Sequence, residues 1–304
     1  MTRSKPQPKP ISNAQHSGQA PATVSVRWLL TAFAIAIPGA GLCAWGVLCL
    51  LFWQGSWQLL YHPAAAVTRT PANVGLAYDP VGFAASDTGM PQIQGWWIPG
   101  GGTARYTVLY LHGQDGNLSD TVGDIDRLHS AGVTVLAFDY RGYGQSQFIH
   151  PSEASWRQDA EWALEYLSGT RHIDPHSIVL AGSGLGANLA LEVAAAHSEL
   201  GGVVLESPLD APVDAIFGDP RARLVPARLL VRDRFEMNTA AAGLRIPSLW
   251  MIEGATPGRS GTPESDKAYA KVTAPKERVR LDAPQKSHQE FVDALRDWLE
   301  GLHR

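Results

Sequence analysis

Cysteine is almost missing: the 304-residue chain has two, Cys43 and Cys49. Both fall inside one apolar stretch, so no disulfide framework can be read. No Cys/His cluster stands at metal-ligand spacing, and neither a metal nor a cofactor is expected. Positive charge is not in excess either. The formal net charge is −4 and the pI near 6.2, so nucleic acid is not an expected partner. Residues 1–27 lack any periodic apolar face and are rich in proline and polar side chains, which reads as a disordered tail.

Between Trp28 and Trp53 charge is absent altogether: "WLLTAFAIAIPGAGLCAWGVLCLLFW". A bilayer core needs about 20 apolar residues, and interfacial tryptophans favour the ends of such a span. A cleaved signal peptide has an apolar region of only about 7–15 residues, and no small-x-small site follows this one. An uncleaved signal anchor over 28–53 is therefore expected, with the membrane as a partner. Arg3, Lys5, Lys9 and Arg27 precede the span without an acidic residue, and the first charge after it is Arg69. The positive-inside rule then places the N-terminus in the cytoplasm and the C-terminal part outside it, facing the periplasm from the inner membrane if the source is bacterial. Pro38, with Gly39 and Gly41, predicts a kink.

Beyond a juxtamembrane connector (54–72), residues 73–304 show no repeat and no domain-sized linker, so one domain is expected. Continuous apolar runs alternate with helical periods, which predicts an α/β domain with a mostly parallel sheet covered on both faces. Strands are expected at 93–99, 106–113, 133–140, 177–182, 202–207, 247–254 and 278–284. The first two are expected as neighbours across the Gly100–Gly102 turn. Helices are clearest at 153–167, 186–197 and 289–302.

"SIVLAGSGLGANLALEV" (177–193) admits two chemistries. Gly182, Gly184 and Ala187 form G-x-G-x-x-A between a strand and a helix, with Glu206 about 20 residues on, where an acid holds a ribose hydroxyl in dinucleotide-binding folds. That fingerprint commonly opens its domain, whereas this one follows several strands. Alternatively, Gly182 and Gly186 are the outer glycines of a G-x-S-x-G nucleophile elbow, with Gly184 where the serine belongs. Centring the motif on Ser183 puts Ala181 and Leu185 at its flanks, and leucine fits poorly where strand and helix must approach closely.

In order along the chain, "LLYHP", "DTGMPQIQGWWIP", "LYLHGQDGN", "FDYRGYGQS", "PSEASWRQDAEWALEYL", "LESPLD", "LLVRDRF" and "SHQEF" resemble the α/β-hydrolase superfamily. The likeness runs from about residue 59 onward and is strongest to the membrane-anchored Bem46-like group, related to mammalian α/β-hydrolase domain proteins with one N-terminal anchor. The resemblance implies an α/β-hydrolase fold, serine chemistry on ester or other acyl bonds, and an acyl or lipid-like ligand. It implies that His288 is the catalytic base and that the main-chain N–H groups of Gln114 and Leu185 form the oxyanion hole. Two positions depart from the family. Gly184 stands at the nucleophile, and Pro257 stands where the acid belongs, with Glu253 replacing the histidine of H-G-x-x-D. No aspartate lies between Gly254 and Ser265, although Glu264 and Asp266 follow. Glu206 or Asp210 would serve if the acid follows the preceding strand; Glu206 and Ser207 also read as the family's ordinary "ESP" turn. Three readings stay open: an eroded triad with a binding or scaffold role, a hydrolase using displaced Ser183 with His288 and Glu206, and nucleotide binding at the Gly182 turn.

Overall fold

The computed structural model describes residues 24–102, 104–253, 264–281 and 287–302. The chain divides into two compact units, one up to Leu48 and one from Cys49 onward. The described residues of the first include most of helix α1 (Val26–Gly55), which runs unbroken through Pro38 and ends in the second. Thirty residues at 1.5 Å each reach about 45 Å, and the helix is long and apolar enough to cross a bilayer. Trp28, Phe33, Ile35 and Leu42 are all exposed along it.

In the second unit the strands are β1 (His62–Pro63), β2 (Asp79–Ala85), β3 (Pro91–Ile98), β4 (Thr107–Leu111), β5 (Asp115–Gly116), β6 (Thr134–Asp139), β7 (Ile178–Ser183), β8 (Gly202–Glu206), β9 (Ser248–Glu253) and β10 (Lys276–Leu281). The helices are α2 (Val122–Ser130), α3 (Glu153–Glu165), α4 (Leu185–Ala196), α5 (Asp214–Gly218), α6 (Ala227–Leu230), α7 (Met237–Gly243), α8 (Glu264–Lys271) and α9 (Ser287–Gly301). Eight strands form one sheet in the order β2-β3-β6-β4-β7-β8-β9-β10. From β6 to β10 every pairing is parallel, while β2 and β3 close one edge antiparallel. β4 is buried along its whole length and β7 up to its last residue, as strands covered on both faces must be. On one face α2 and α9 share a core with Val108, Tyr110, Val135 and Val179. α3 and α4 pack together elsewhere on the sheet, with α4 against β7 and β8.

Two strand placements differ from expectation. β3 and β4 are not neighbours: β6 lies between them, antiparallel to β3 and parallel to β4. The parallel pair needs the α2 crossover, and that crossover returns the chain to the side where β3 waits. β2 was not anticipated at all, because Pro80 and Gly82 interrupt its pattern; an edge strand tolerates both.

The stretch 54–72, expected as a connector, is built into the globular unit. β1 pairs in parallel with β5, the strand that follows "LHGQ". Tyr61 is buried, donates its hydroxyl hydrogen to Asp233 Oδ2 at 2.9 Å, and meets Trp156 edge-on. Trp156 in turn stacks on Tyr140, with ring centroids 4.0 Å apart. This aromatic cluster lies beneath the turn that carries Gln114.

Candidate active site

Parallel strands β4, β6, β7 and β8 end at one edge of the sheet, the edge at which open α/β sheets bind ligands. There β7 turns into α4 through Gly184, whose φ is +56° and ψ −124°. L side chains rarely adopt that backbone, and a nucleophile elbow imposes it on its apex. The turn is pinned from both sides: the Gly184 N–H donates to the Glu206 carbonyl at 3.0 Å, and the Ala187 N–H donates to the Gly184 carbonyl at 3.1 Å. Close packing accounts for Gly186, since a Cβ there would collide with the carbonyls of Leu111 and His112. At Gly184 there is room instead: a Cβ would meet only Gln114 Oε1, at 3.6 Å.

Leu185 is buried as the first residue of α4, so its N–H belongs to the turn that finds no acceptor within the helix. The Gln114 carbonyl accepts from the His62 N–H at 2.9 Å and from the Tyr143 hydroxyl at 2.8 Å, which fixes this loop. Ser183, half-buried, ends β7 opposite Glu206 in the β8 register. The structure thus gathers Gly184, Leu185, Gln114, Ser183 and Glu206 at one edge.

Glu206 is already engaged. Arg127 of α2 donates to Oε1 at 2.8 Å and to Oε2 at 3.2 Å, and it also bridges to Asp124, which accepts the Tyr110 hydroxyl. The same guanidinium lies 4.5 Å from the Phe291 ring centroid. Opposite charge on both sides raises the Arg127 pKa against the burial that lowers it. Asp210 Oδ1 accepts the Ser265 N–H at the start of α8. Glu264 and Asp266 are held on α8, by Lys267 with Asn238 and by Arg278 respectively.

His288 is exposed as the second residue of α9. One turn further, Phe291 shares a recess with Ala181, Gly182 and Glu206, which brings the start of α9 beside the elbow strand. Pro257 lies outside the described residues, as does the loop 282–286 that precedes α9.

Other polar groups at this edge are not marked as site residues by the sequence, although His112 and Ser207 fall within "LYLHGQDGN" and "LESPLD". His112 is fully buried; its Nδ1 lies 2.8 Å from the Gly113 carbonyl and therefore carries the hydrogen. Its Nε2 is 3.6 Å from Asp139 Oδ1, and Asp139 Oδ1 accepts the Leu118 N–H. Burial lowers the His112 pKa to about 4 and raises that of Asp139 to about 7. Ser207 sits at φ +46° with a buried hydroxyl that has no partner among the described residues. Tyr110, Asp124 and Arg127 come together only because α2 packs across the ends of β4 and β8.

The sequence matches the model of the alpha/beta hydrolase family over residues 108–302. An uncharacterized protein of Mycobacterium tuberculosis is 30% identical over 265 residues, covering 86% of this chain and 91% of the relative. The uncharacterized protein YfhR of Escherichia coli K12 is 26% identical over 231 residues, 74% of this chain and 77% of YfhR. Among solved structures, the Pyrococcus furiosus esterase Pf2001 superposes with a TM-score of 0.61 at 21% identity, covering 80% of this chain and 98% of the esterase. An alpha-beta hydrolase from Vibrio vulnificus gives 0.55 at 21% identity, over 76% of this chain and 82% of that one. With the sheet order, the elbow and these likenesses together, the chain belongs to the alpha/beta hydrolase family and has its fold.

Proposed function

We propose that this chain is a membrane-anchored, Bem46-like member of the family whose cleft binds acyl or lipid-like molecules without conventional serine hydrolysis. One observation carries this reading: glycine occupies the elbow apex, in the apex conformation. Without a hydroxyl there, no covalent acyl intermediate forms. What the edge retains is a place for a carbonyl oxygen, between the N–H groups of Leu185 and Gln114. Binding and an oxyanion hole alone leave a rate of about 10³–10⁴ over water, weak beside an intact triad. His288 as a general base on water has no orienting acid among the described residues, where the Glu206 carboxylate faces Arg127. The fold of an ester-cleaving protein supports an ester or other acyl compound as the ligand. The apolar helix over 28–53 supports the anchor, with the globular unit outside the cytoplasm.

A displaced-nucleophile reading has Ser183 in reach of the same edge, and the nucleotide reading has its glycines. The first needs an acid that is not tied to an arginine. The second needs a free Glu206 and leaves the elbow conformation of Gly184 unexplained. A fluorophosphonate probe on the detergent-solubilised full chain separates them: no labelling is expected. Strong labelling that disappears in Ser183→Ala overturns the proposal in favour of the displaced nucleophile.

A further inference from the structure

Residues on either side of the anchor's end form a second recess, away from the elbow. It measures about 470 Å³ and is lined by Trp53, Trp57, His150, Ile216, Leu230 and Arg232, among others. All belong to the unit that starts at Cys49. Its size falls within the usual range for small-molecule sites. Trp57 stacks on His150, with centroids 4.8 Å apart, giving the recess an aromatic wall.

Three further observations concern the same place. Large apolar side chains stand out beside it in the chain: Phe148 is 81% exposed, Leu224 60% and Leu229 82%. Phe148 and Leu229 lie within two residues of the recess-lining His150 and Leu230, so exposed apolar side chains flank the lining in sequence. The segment 221–234 carries five arginines, Arg221, Arg223, Arg228, Arg232 and Arg234, against one acid, Asp233. That acid is taken, accepting the Tyr61 hydroxyl at 2.9 Å and the Glu153 N–H at 3.2 Å. Arg232, at the recess wall, is exposed and has no carboxylate partner among the described residues. Finally, Trp53 closes the apolar run of α1, so the recess begins where that run ends. Tryptophan at the end of a span sits at headgroup level.

We propose that this recess binds an anionic phospholipid drawn from the bilayer that holds the anchor. An acyl chain lies against Trp53, Trp57, Ile216 and Leu230, and Arg232 pairs with the phosphate. Leu224, Leu229 and Phe148 dip into the same leaflet. The apolar lining calls for a chain and the uncompensated arginine calls for an anion, and an anionic phospholipid supplies both in one molecule. This inference rests on the membrane-anchor reading and is independent of the chemistry at Gly184.

The test uses the full chain in nanodiscs that contain a phosphatidylglycerol with a photoactivatable acyl chain, with crosslinked peptides mapped by mass spectrometry. Crosslinks are expected on α1 and also within 148–152 and 224–232. Yield at the latter two segments should fall at least fivefold when the probe is a phosphatidylcholine, equivalent to about 1 kcal/mol for one surface arginine. Arg232→Glu should give the same loss, and Leu229→Glu should remove the crosslinks around its own position. Lys271→Glu, an exposed charge change on α8, should change nothing. Crosslinks confined to α1 overturn the proposal while leaving the anchor intact. Equal yields from both lipids, unaffected by Arg232→Glu, also overturn it. An absence of crosslinks on α1 removes the anchor reading itself.

Discussion

Replacing Gly184 by serine places a hydroxyl at the apex of a turn that already has the right backbone. The substitution has two opposed effects. Held at φ +56°, a non-glycine residue stores strain of about 1–3 kcal/mol. No steric cost adds to this, because the nearest atom to the new Cβ is Gln114 Oε1 at 3.6 Å. In a domain of this size each kcal/mol lowers Tm by about 2–4 °C, so a fall of about 2–12 °C is expected. Gly184→Ala bears the same strain without the hydroxyl and is the proper reference. A complete serine triad contributes about 2 × 10⁶ in kcat, and loss of its acid alone costs about 3 × 10⁴. A serine backed by His288 without an orienting acid is therefore worth about 10²-fold. Hydrolysis of a p-nitrophenyl ester by Gly184→Ser should exceed that by Gly184→Ala by this factor, with fluorophosphonate labelling at the new hydroxyl. A Gly184→Ser protein that unfolds cooperatively at a slightly lower Tm, yet is neither labelled nor faster than Gly184→Ala, refutes the reasoning. The edge would then lack a competent base or oxyanion hole.

Adding His288→Ala to Gly184→Ser should return ester hydrolysis to the level of Gly184→Ala; persistence of the gain assigns the base elsewhere. The buried pair His112 and Asp139 makes a pH prediction. Between about pH 4 and 6.5 the unfolded chain carries the proton on histidine, while the native pair holds it on Asp139, so the pair contributes no net pH slope. In Asp139→Asn only the lowered His112 pKa remains, and the unfolded state binds one proton more in that window. Stability of this variant should fall by about 3 kcal/mol relative to wild type as the pH drops from 6.5 to 4; parallel denaturant midpoints across that range would overturn the assignment. Tyr61→Phe strips a hydrogen bond from the half-buried Asp233 carboxylate and should cost about 1–3 kcal/mol in urea unfolding. A chain beginning at Asn73 loses β1, Leu60 and Tyr61 and should be less stable than one beginning at Cys49 by at least about 3 kcal/mol, the usual cost of emptying a large aromatic site.

What depends on local pattern is legible in the amino-acid order. The charge-free run ending at Trp53, the continuous apolar strands and the strand–glycine–helix turn at Gly184 are all readable because periodicity and glycine placement are properties of neighbouring residues. Boundaries for β6, β7, β8, α3 and α4 were accordingly within a few residues of those in the structure. The ordered set of motifs points to Gln114 and Leu185, which stand beside Gly184. What depends on long-range packing emerges once the layers are assembled. That β6 comes between β3 and β4 follows from the hand of a crossover, and no residue in the Gly100–Gly102 turn announces it. That Glu206 is spent on Arg127 follows from α2 lying across the end of β8, with the partners 79 positions apart in the chain. That residues 54–72 belong to the domain follows from two backbone hydrogen bonds to the loop around Gln114 and from one tyrosine reaching Asp233. Spacing along a chain specifies a turn; which carboxylate faces which cation is settled only when the layers close.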